Sequence, residues 1–265
     1  MKKNKKTILF RKFNFNKEEY EVASKFFNVC ESRMEVPDNE IIVGRYSVIP
    51  NYKELERDLN FKNTKLINSY YEHSYITDMS YVLDIEDFTP KTYFSPNDLP
   101  IKEQAYVLKG KINSRKEQWK TKMFAKNKKE AIALYLDLIN EPYIGEQGVV
   151  FREYVPLEKI SESINGMPFT NEWRFFFYKE QIIDYGYYWS SSDVLLKKED
   201  IPKGGVDFAK KIAKVVSSKI NFFVIDIALT ESGNWIVIEL NDGQMSGLSE
   251  ININNFYLNL SKLIE

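Results

Sequence analysis

The chain has 265 residues, 43% hydrophobic and 28% charged, the balance of an ordinary folded protein, which excludes both disorder and a disulfide-stapled miniature fold. Its 37 Lys and Arg against 38 Asp and Glu leave a formal net charge of -1, so no bulk positive charge is available to hold nucleic acid and any charge-based function must be local. One cysteine, Cys30, and one histidine, His73, exclude an intrachain disulfide, a Cys/His zinc cluster and a Cys-Cys redox pair, and argue against a His-dependent triad.

The lysine-rich start, Met1 to Lys6, is followed only by Thr7-Ile8-Leu9-Phe10 before Arg11 returns, too short for a signal peptide, and no run approaches the ~18 apolar residues of a membrane span. A cytoplasmic protein with no membrane contact is expected. Thr7 to Phe10 reads as a buried strand, Glu18 to Glu31 as a helix with Val22, Phe26, Phe27 and Cys30 in its core, and Ile41 to Val43 as a strand, which together suggest an α/β lobe. Three prolines, Pro90, Pro96 and Pro100, lie between Asp84 and Pro100 among turn-forming residues and mark the best boundary, near Thr89.

Beyond it, Gln104 to Lys109 reads as a strand, Gly110 to Thr121 as a polar loop, Lys122 to Ala125 as a short strand, Lys128 to Ile139 as a helix and Gly148 to Val155 as a strand closed by Pro156. Glu172 to Tyr178 and Gln181 to Trp189 form a hairpin around Lys179-Glu180, and Val206 to Ser218 an amphipathic helix. Phe222 to Leu229 and Trp235 to Leu240 form a second hairpin, and a helix from about Asn254 to Leu263 closes the chain. Antiparallel hairpins with helices laid on them specify an α+β fold rather than a purely parallel sheet.

Charge is segregated along the chain. Residues 102–130 hold ten Lys/Arg and three Asp/Glu, net +7, whereas residues 220–261 hold five Asp/Glu and no Lys or Arg. Cations on a loop-rich segment and carboxylates on a later hairpin are the ingredients for a polyphosphate and its divalent metal; a solvated basic face with an unrelated acidic hairpin is the plainer alternative. Asp226 in Ile225-Asp226-Ile227 and Glu239 in Ile238-Glu239-Leu240 are each set among apolar strand neighbours, and burying them unpaired would be costly. Strand alternation puts Glu239 and Asn241 on one face, and with Asp226 they supply hard oxygen donors suited to Mg²⁺. Lys109 ends a strand, and Lys116 lies in the polar loop Asn113-Ser114-Arg115-Lys116, which has no Gly-rich Walker pattern.

In order, these elements resemble an ATP-grasp ligase, and the motifs are most similar to the R2K clade of that superfamily. The resemblance runs through Gly44-Arg45-Tyr46-Ser47-Val48-Ile49-Pro50, Glu54-Leu55-Glu56, Ile67-Asn68-Ser69-Tyr70, Thr89-Pro90-Lys91-Thr92, Val107-Leu108-Lys109, Ser114 to Trp119, Phe151 to Val155, Glu172-Trp173-Arg174 and Asp226 to Leu248. Its most specific stretch is Glu239-Leu240-Asn241-Asp242-Gly243-Gln244-Met245-Ser246-Gly247-Leu248. The resemblance implies an α/β lobe over residues 1–88 followed by an ATP-grasp fold of two α+β subdomains, 89–155 and 156–265, with ATP between them. It implies phosphate contacts from Lys109 and from Lys116 on a mobile loop, adenine pairing with the backbone of Glu153, Tyr154 and Val155, and ribose contact by Glu158. It further implies that Arg174 faces the γ-phosphate or an acyl phosphate and that Asp226, Glu239 and Asn241 bind Mg²⁺. Where many amino-acid ligases of the superfamily have a small-residue and proline turn, this chain has Asp242-Gly243-Gln244, so the acceptor cannot be carried over from them.

The implied chemistry is ATP- and Mg²⁺-dependent ligation of a carboxylate, from a small molecule or a peptide, to an amine through an acyl phosphate. Phosphoryl transfer relies on positioning and charge neutralisation, which suits a site with no nucleophilic Cys or His. Two alternatives stand beside it: a kinase on the same scaffold that phosphorylates a hydroxyl, and a non-enzymatic nucleic-acid or partner-binding module using residues 102–130 with Trp119 and Phe124 as stacking groups. The facing of Arg152 and Glu172 and the role of His73 are open in the sequence, as is the oligomeric state. The loop from Gly110 to Thr121 has only Ile112 as an apolar residue between Lys111 and Gln118, and is expected to order over nucleotide.

Overall fold

A computed structural model describes residues 5–11, 16–162 and 166–264; Lys2 and Lys3 of the charged start lie outside the described residues. The first lobe begins with β1 (Thr7–Leu9), α1 (Lys17–Phe26), β2 (Asn28–Cys30), β3 (Ile41–Gly44), α2 (Tyr52–Asn60), β4 (Lys65–Leu66) and α3 (Tyr70–Thr77). Its four strands form a parallel sheet in the order β2-β1-β3-β4, the α/β lobe expected from sequence. The first helix ends at Phe26, not Glu31. Phe27 is extended and Asn28–Cys30 pairs in register with Thr7–Leu9, so Cys30 belongs to a strand, its Sγ donating to Ile8 O at 3.6 Å. Helical spacing at Val22, Phe26 and Cys30 also fits a helix followed by a buried strand, and pairing with β1 decides. Helix α2, not anticipated, buries Tyr52, Leu55 and Leu59 at helical spacing, and α3 starts on a capping box of Ser69 and Glu72.

After α4 (Tyr81–Asp84) comes an antiparallel sheet of β5 (Thr92–Tyr93), β6 (Tyr106–Gly110), β7 (Phe124–Ala125) and β8 (Val149–Glu153), in the order β5-β8-β6-β7, covered by α5 (Lys128–Ile139) and α6 (Pro142–Gly145). Its core, which includes Tyr106, Leu108, Ala131, Leu138 and Phe151, draws only on residues 93 to 151. The segment after β6 carries single turns at Lys116–Gln118 and Trp119–Met123, so the expected strand from Lys122 shrinks to Phe124–Ala125.

A short pair, β9 (Lys159–Glu162) and β10 (Pro168–Thr170), precedes the main sheet of β11 (Glu172–Tyr178), β12 (Gln181–Tyr187), β13 (Phe222–Leu229) and β14 (Trp235–Asp242), ordered β12-β11-β13-β14 and wholly antiparallel. Both expected hairpins are present. Alternation divides the sheet's side chains between two cores: Trp173, Phe175, Phe177, Phe223, Ile225 and Ile227 pack with α7 (Gly205–Val216), and Phe176, Phe222 and Val224 pack with α8 (Ile253–Leu263) and with Ile8, Phe10, Val22 and Phe27 of the first lobe. The first lobe thus shares a core with the last sheet. Alternation also puts Glu172 and Arg174 on the face of Phe176, which settles the facing of Glu172.

Gly186, the cross-strand partner of Arg174, sits where a Cβ would come within 2.9 Å of Glu250 C and 3.0 Å of Glu250 O. Backbone cannot swing aside as a side chain can. Gly186→Ala is therefore expected to cost about 1–3 kcal/mol, read as a lower denaturant midpoint at unchanged slope; an unchanged midpoint would show that the segment at Glu250 yields freely.

Candidate active site

Three polar residues stand abreast in the core of the main sheet. Arg174 on β11 is paired in register with Asp226 on β13, and Asp226 with Glu239 on β14. Asp226 is fully buried, and both its oxygens accept from Arg174, from Nε at 2.8 Å and from Nη2 at 2.7 Å; Asn241 Nδ2 donates to Asp226 Oδ2 at 3.2 Å. Arg174 Nη1 reaches Gly247 O at 2.9 Å, tying β11 to the loop after β14. Burial works against the guanidinium charge, but Asp226 outweighs it and holds Arg174 protonated throughout any ordinary pH range.

Lys109, at the far end of β6, crosses to Glu239 and binds its Oε2. Burial would raise the Glu239 carboxyl, but Lys109, Lys116 and Arg174 together keep it well below the usual carboxylate range, so Glu239 is an anion among three cations. Lys116 donates to the Tyr188 hydroxyl, with its Nζ 4.2 Å from the Tyr188 ring centre and 4.9 Å from that of Trp189, while the Arg174 guanidinium lies 4.7 Å from the Tyr188 ring. Tyr188 therefore gathers two of the predicted phosphate-facing cations, a role its sequence neighbourhood does not signal. The Lys116 loop is pinned by polar contacts, Arg115 Nε to Glu141 at 3.0 Å and Asn113 N to Gln147 Oε1 at 3.2 Å, rather than by apolar packing.

Two cavities meet at this cluster. The first, about 220 Å³, lies between the sheet of β6 and β8 and the main sheet; its walls include Lys109, Lys116, Glu153 to Val155, Met167, Ile238 and Glu239. The second, about 730 Å³, opens on the other side, lined by Arg174, Glu239 and Asn241 from the main sheet, His73 and Asp78 from the first lobe and Lys111 beyond β6. Glu239 is a wall of both.

The predicted residues fall into three groups. Lys109, Lys116, Glu153, Tyr154, Val155 and Glu239 line the first cavity, and Arg174, Asn241 and Glu239 line the second. Within the linker Glu153 binds Tyr93 OH at 2.7 Å and Lys102 Nζ at 2.8 Å, Tyr154 N donates to Ala105 O at 2.8 Å, and Val155 N–H has no partner among the described residues. Asp226 lies behind the walls, beneath Arg174. Glu158 is exposed and accepts from Asn171 Nδ2 at 2.7 Å without lining the cavity, where Glu231, from the turn between β13 and β14, does. Arg152 is buried with no carboxylate partner among the described residues; it donates to Ile238 O and, at 2.6 Å, to Thr89 Oγ1, which donates to Val237 O at 2.9 Å, so it laces β8 to β14.

Glu172 borders the first cavity and is buried with its Oε1 unpartnered. Burial, only partly offset by Lys116, pushes its carboxyl up to about 8. A group that binds its proton more tightly folded than unfolded adds stability below the ordinary carboxylate range and loses it as pH rises through its folded value. The melting temperature of the wild type is accordingly expected to fall, relative to Glu172→Gln, between pH 5 and pH 8.5. Parallel curves would show that Glu172 is ionised throughout.

No group of three or more His, Cys, Asp and Glu fit to hold a metal is found among the described residues. The oxygen donors nonetheless fit a Mg²⁺ held chiefly by nucleotide phosphates: Glu239 has Oε1 beside the oxygen bound to Lys109, and Asn241, with its amide nitrogen on Asp226, has Oδ1 turned from it. Asp226 is fully buried and already accepts three hydrogen bonds, two of them from Arg174, which makes it the least available of the three.

A cleft between two antiparallel sheets, with lysines from one and carboxylates from the other, is the arrangement of the ATP-grasp class. The chain belongs to the ATP-grasp R2K clade, family 3, whose family model matches residues 90–260. Among solved structures, the fold is similar to that of the ATP-grasp ligase PsnB complexed with a minimal precursor (11% identity, 99% of this chain and 100% of that one, TM-score 0.59). It is also similar to D-cycloserine synthetase DcsG (12%, 98% and 99%, 0.59) and to D-alanyl-alanine synthetase A from Vibrio cholerae (13%, 97% and 94%, 0.55). A comparison with curated proteins returned no match.

Proposed function

We propose that the protein is an ATP- and Mg²⁺-dependent ligase that joins a carboxylate to an amine through an acyl phosphate. The observation that carries this reading is the pair of cavities sharing Glu239: one has lysines and a linker with a free N–H for a nucleotide, the other has Arg174 and room for a carboxylate and an acceptor. The ATP-grasp subdomains span 89–155 and 156–265, after a lobe of residues 1–88 that supplies one wall of the acceptor cavity. Lys109 and Lys116 neutralise the phosphates, Val155 N–H pairs with adenine, and Glu231 or Glu158 takes the ribose hydroxyls. Arg174, fixed by Asp226, stabilises the transferred phosphoryl group as charge develops on it. Glu239 and Asn241 would hold Mg²⁺, which supplies further neutralisation of the phosphate charge. The carboxylate oxygen attacks the γ-phosphorus and ADP leaves; an amine then displaces phosphate from the acyl group. Of the cations in the 102–130 segment, Lys102, Lys109, Arg115 and Lys122 are paired with carboxylates, and Trp119 stacks on Phe124, which favours the ligase over a nucleic-acid module. No described helix is long and apolar enough to cross a membrane.

Mass detection of products after incubation with ATP, Mg²⁺ and a mixture of amino acids and peptides tests the reaction. A condensed product with ADP is expected, whereas a phosphorylated hydroxyl would replace this reading by the kinase. In parallel, Lys109→Ala is expected to weaken ATP-analogue binding about tenfold by removing one charge-assisted contact, and exposed Lys126→Ala to leave it unchanged. Equal affinities would remove Lys109 from the phosphate site.

A further inference from the structure

The one histidine of the chain is built into the wall of the second cavity, and the ligase reading leaves it without a task. His73 sits on α3 with its ring stacked on Tyr52, centroids 4.2 Å apart and planes at 13°. Its Nδ1 lies 3.0 Å from Asp242 Oδ2. The other oxygen of Asp242 is already committed, accepting from Asn68 Nδ2 at 2.9 Å and from Gln244 N at 2.9 Å, so the carboxylate is fixed in position. With Oδ1 of Asp242 held by Asn68 and Gln244, Oδ2 is placed to accept from Nδ1, the tautomer that leaves the ring's lone pair on Nε2. That nitrogen has no partner among the described residues, and the ring borders the cavity that Arg174, Glu239 and Asn241 also line.

We propose that His73, oriented by Asp242, is the base that deprotonates the amine acceptor. This rests on the ligase reading, and supplies a step that reading needs, because an alkylamine at neutral pH is an ammonium ion with no lone pair to attack with. His73 Nε2 takes one N–H proton; the electron pair left on nitrogen forms the C–N bond at the acyl carbon. The C–O bond to phosphate then breaks, the leaving phosphate keeps its electron pair, and the second amine proton passes to it. Base and orienting carboxylate within hydrogen-bond reach form the arrangement general-base catalysis uses. The charged and titratable groups around the ring are Asp242 and Glu239 on β14, Arg174 on β11, Tyr52 on α2, Glu72 on α3, Asp78 just after it, and Lys111, Tyr143 and Glu146 across the cavity.

The test uses a nucleophile that needs no base. Hydroxylamine is unprotonated at neutral pH, whereas ethylamine is an ammonium ion. Wild type and His73→Gln are incubated with ATP, Mg²⁺ and a mixture of amino acids and peptides as carboxylates, with ethylamine or hydroxylamine in excess, and the ratio of amide to hydroxamate is measured against pH. In His73→Gln the ratio is expected to fall about a hundredfold at pH 7 and to recover as the pH approaches that at which ethylamine deprotonates itself. Equal ratios in the two proteins at every pH would overturn the role of His73 and leave the ligase standing. Absence of both products in the wild type would overturn the ligase reading, and this inference with it. Because there is one histidine, its ¹⁵N resonances are unambiguous; a neutral ring carrying its proton on Nε2 would also overturn the proposal.

Discussion

Glutamine at position 239 is expected to reduce ATP turnover about a hundredfold or more while the protein still binds nucleotide. Glu239 is the anion between Lys109, Lys116 and Arg174 and walls both cavities, so under the proposed mechanism its loss removes a metal donor at the point where phosphate would pass from one cavity to the other. The same charge repels the triphosphate, so metal-free affinity for an ATP analogue should hold or rise in Glu239→Gln even as turnover falls. ADP release and the binding of a fluorescent ATP analogue separate the two effects. Wild-type ADP release in the variant would remove Glu239 from the chemistry.

Asp226→Asn is expected to act on the fold first. The substitution leaves the Arg174 guanidinium buried against an uncharged amide, and breaking a buried ion pair from one side costs about 3–5 kcal/mol, a fall in melting temperature on the order of 10 °C for a chain of this size. Arg174→Met together with Asp226→Leu, which removes both charges, should recover much of that stability and no turnover. If Asp226→Asn instead melted with the wild type and lost only metal-dependent turnover, Asp226 would be a metal ligand and not the support of Arg174.

Much of this arrangement is legible locally. Runs rich in aromatic and β-branched residues on either side of Lys179-Glu180 and of Glu231 to Asn234 specify the two hairpins of the main sheet, and a carboxylate set among Ile225 and Ile227, or Ile238 and Leu240, marks a position where burial needs a partner. The net +7 of residues 102–130 marks the segment that supplies Lys109 and Lys116 to the first cavity, and the motifs from Val107 to Leu248 place the chain among ATP-grasp proteins. Local spacing misjudged the first helix, because Phe27 to Cys30 fits a helix face and a buried strand equally well until β1 is there to pair with it.

Which partner each charge takes was decided only in three dimensions. Lys109 and Glu239 are 130 residues apart and Arg174 and Asp226 are 52 apart, and periodicity of 2 or 3.6 carries no information over such distances. Register across β11, β13 and β14 sets Arg174, Asp226 and Glu239 abreast, and the same register explains why Asp226 serves Arg174 while Glu239 faces both cavities. Long-range bonds also fix the first lobe on the last sheet, from Asn68 to Asp242 at 2.9 Å, Gly44 N to Gln244 at 3.1 Å and Arg45 to Gly243 O at 2.6 Å. A lone histidine in Tyr71-Glu72-His73-Ser74-Tyr75 has no local mark of function; it acquires one when packing brings it to Asp242, because an imidazole's donor and acceptor nitrogens are distinguished only by what each of them touches.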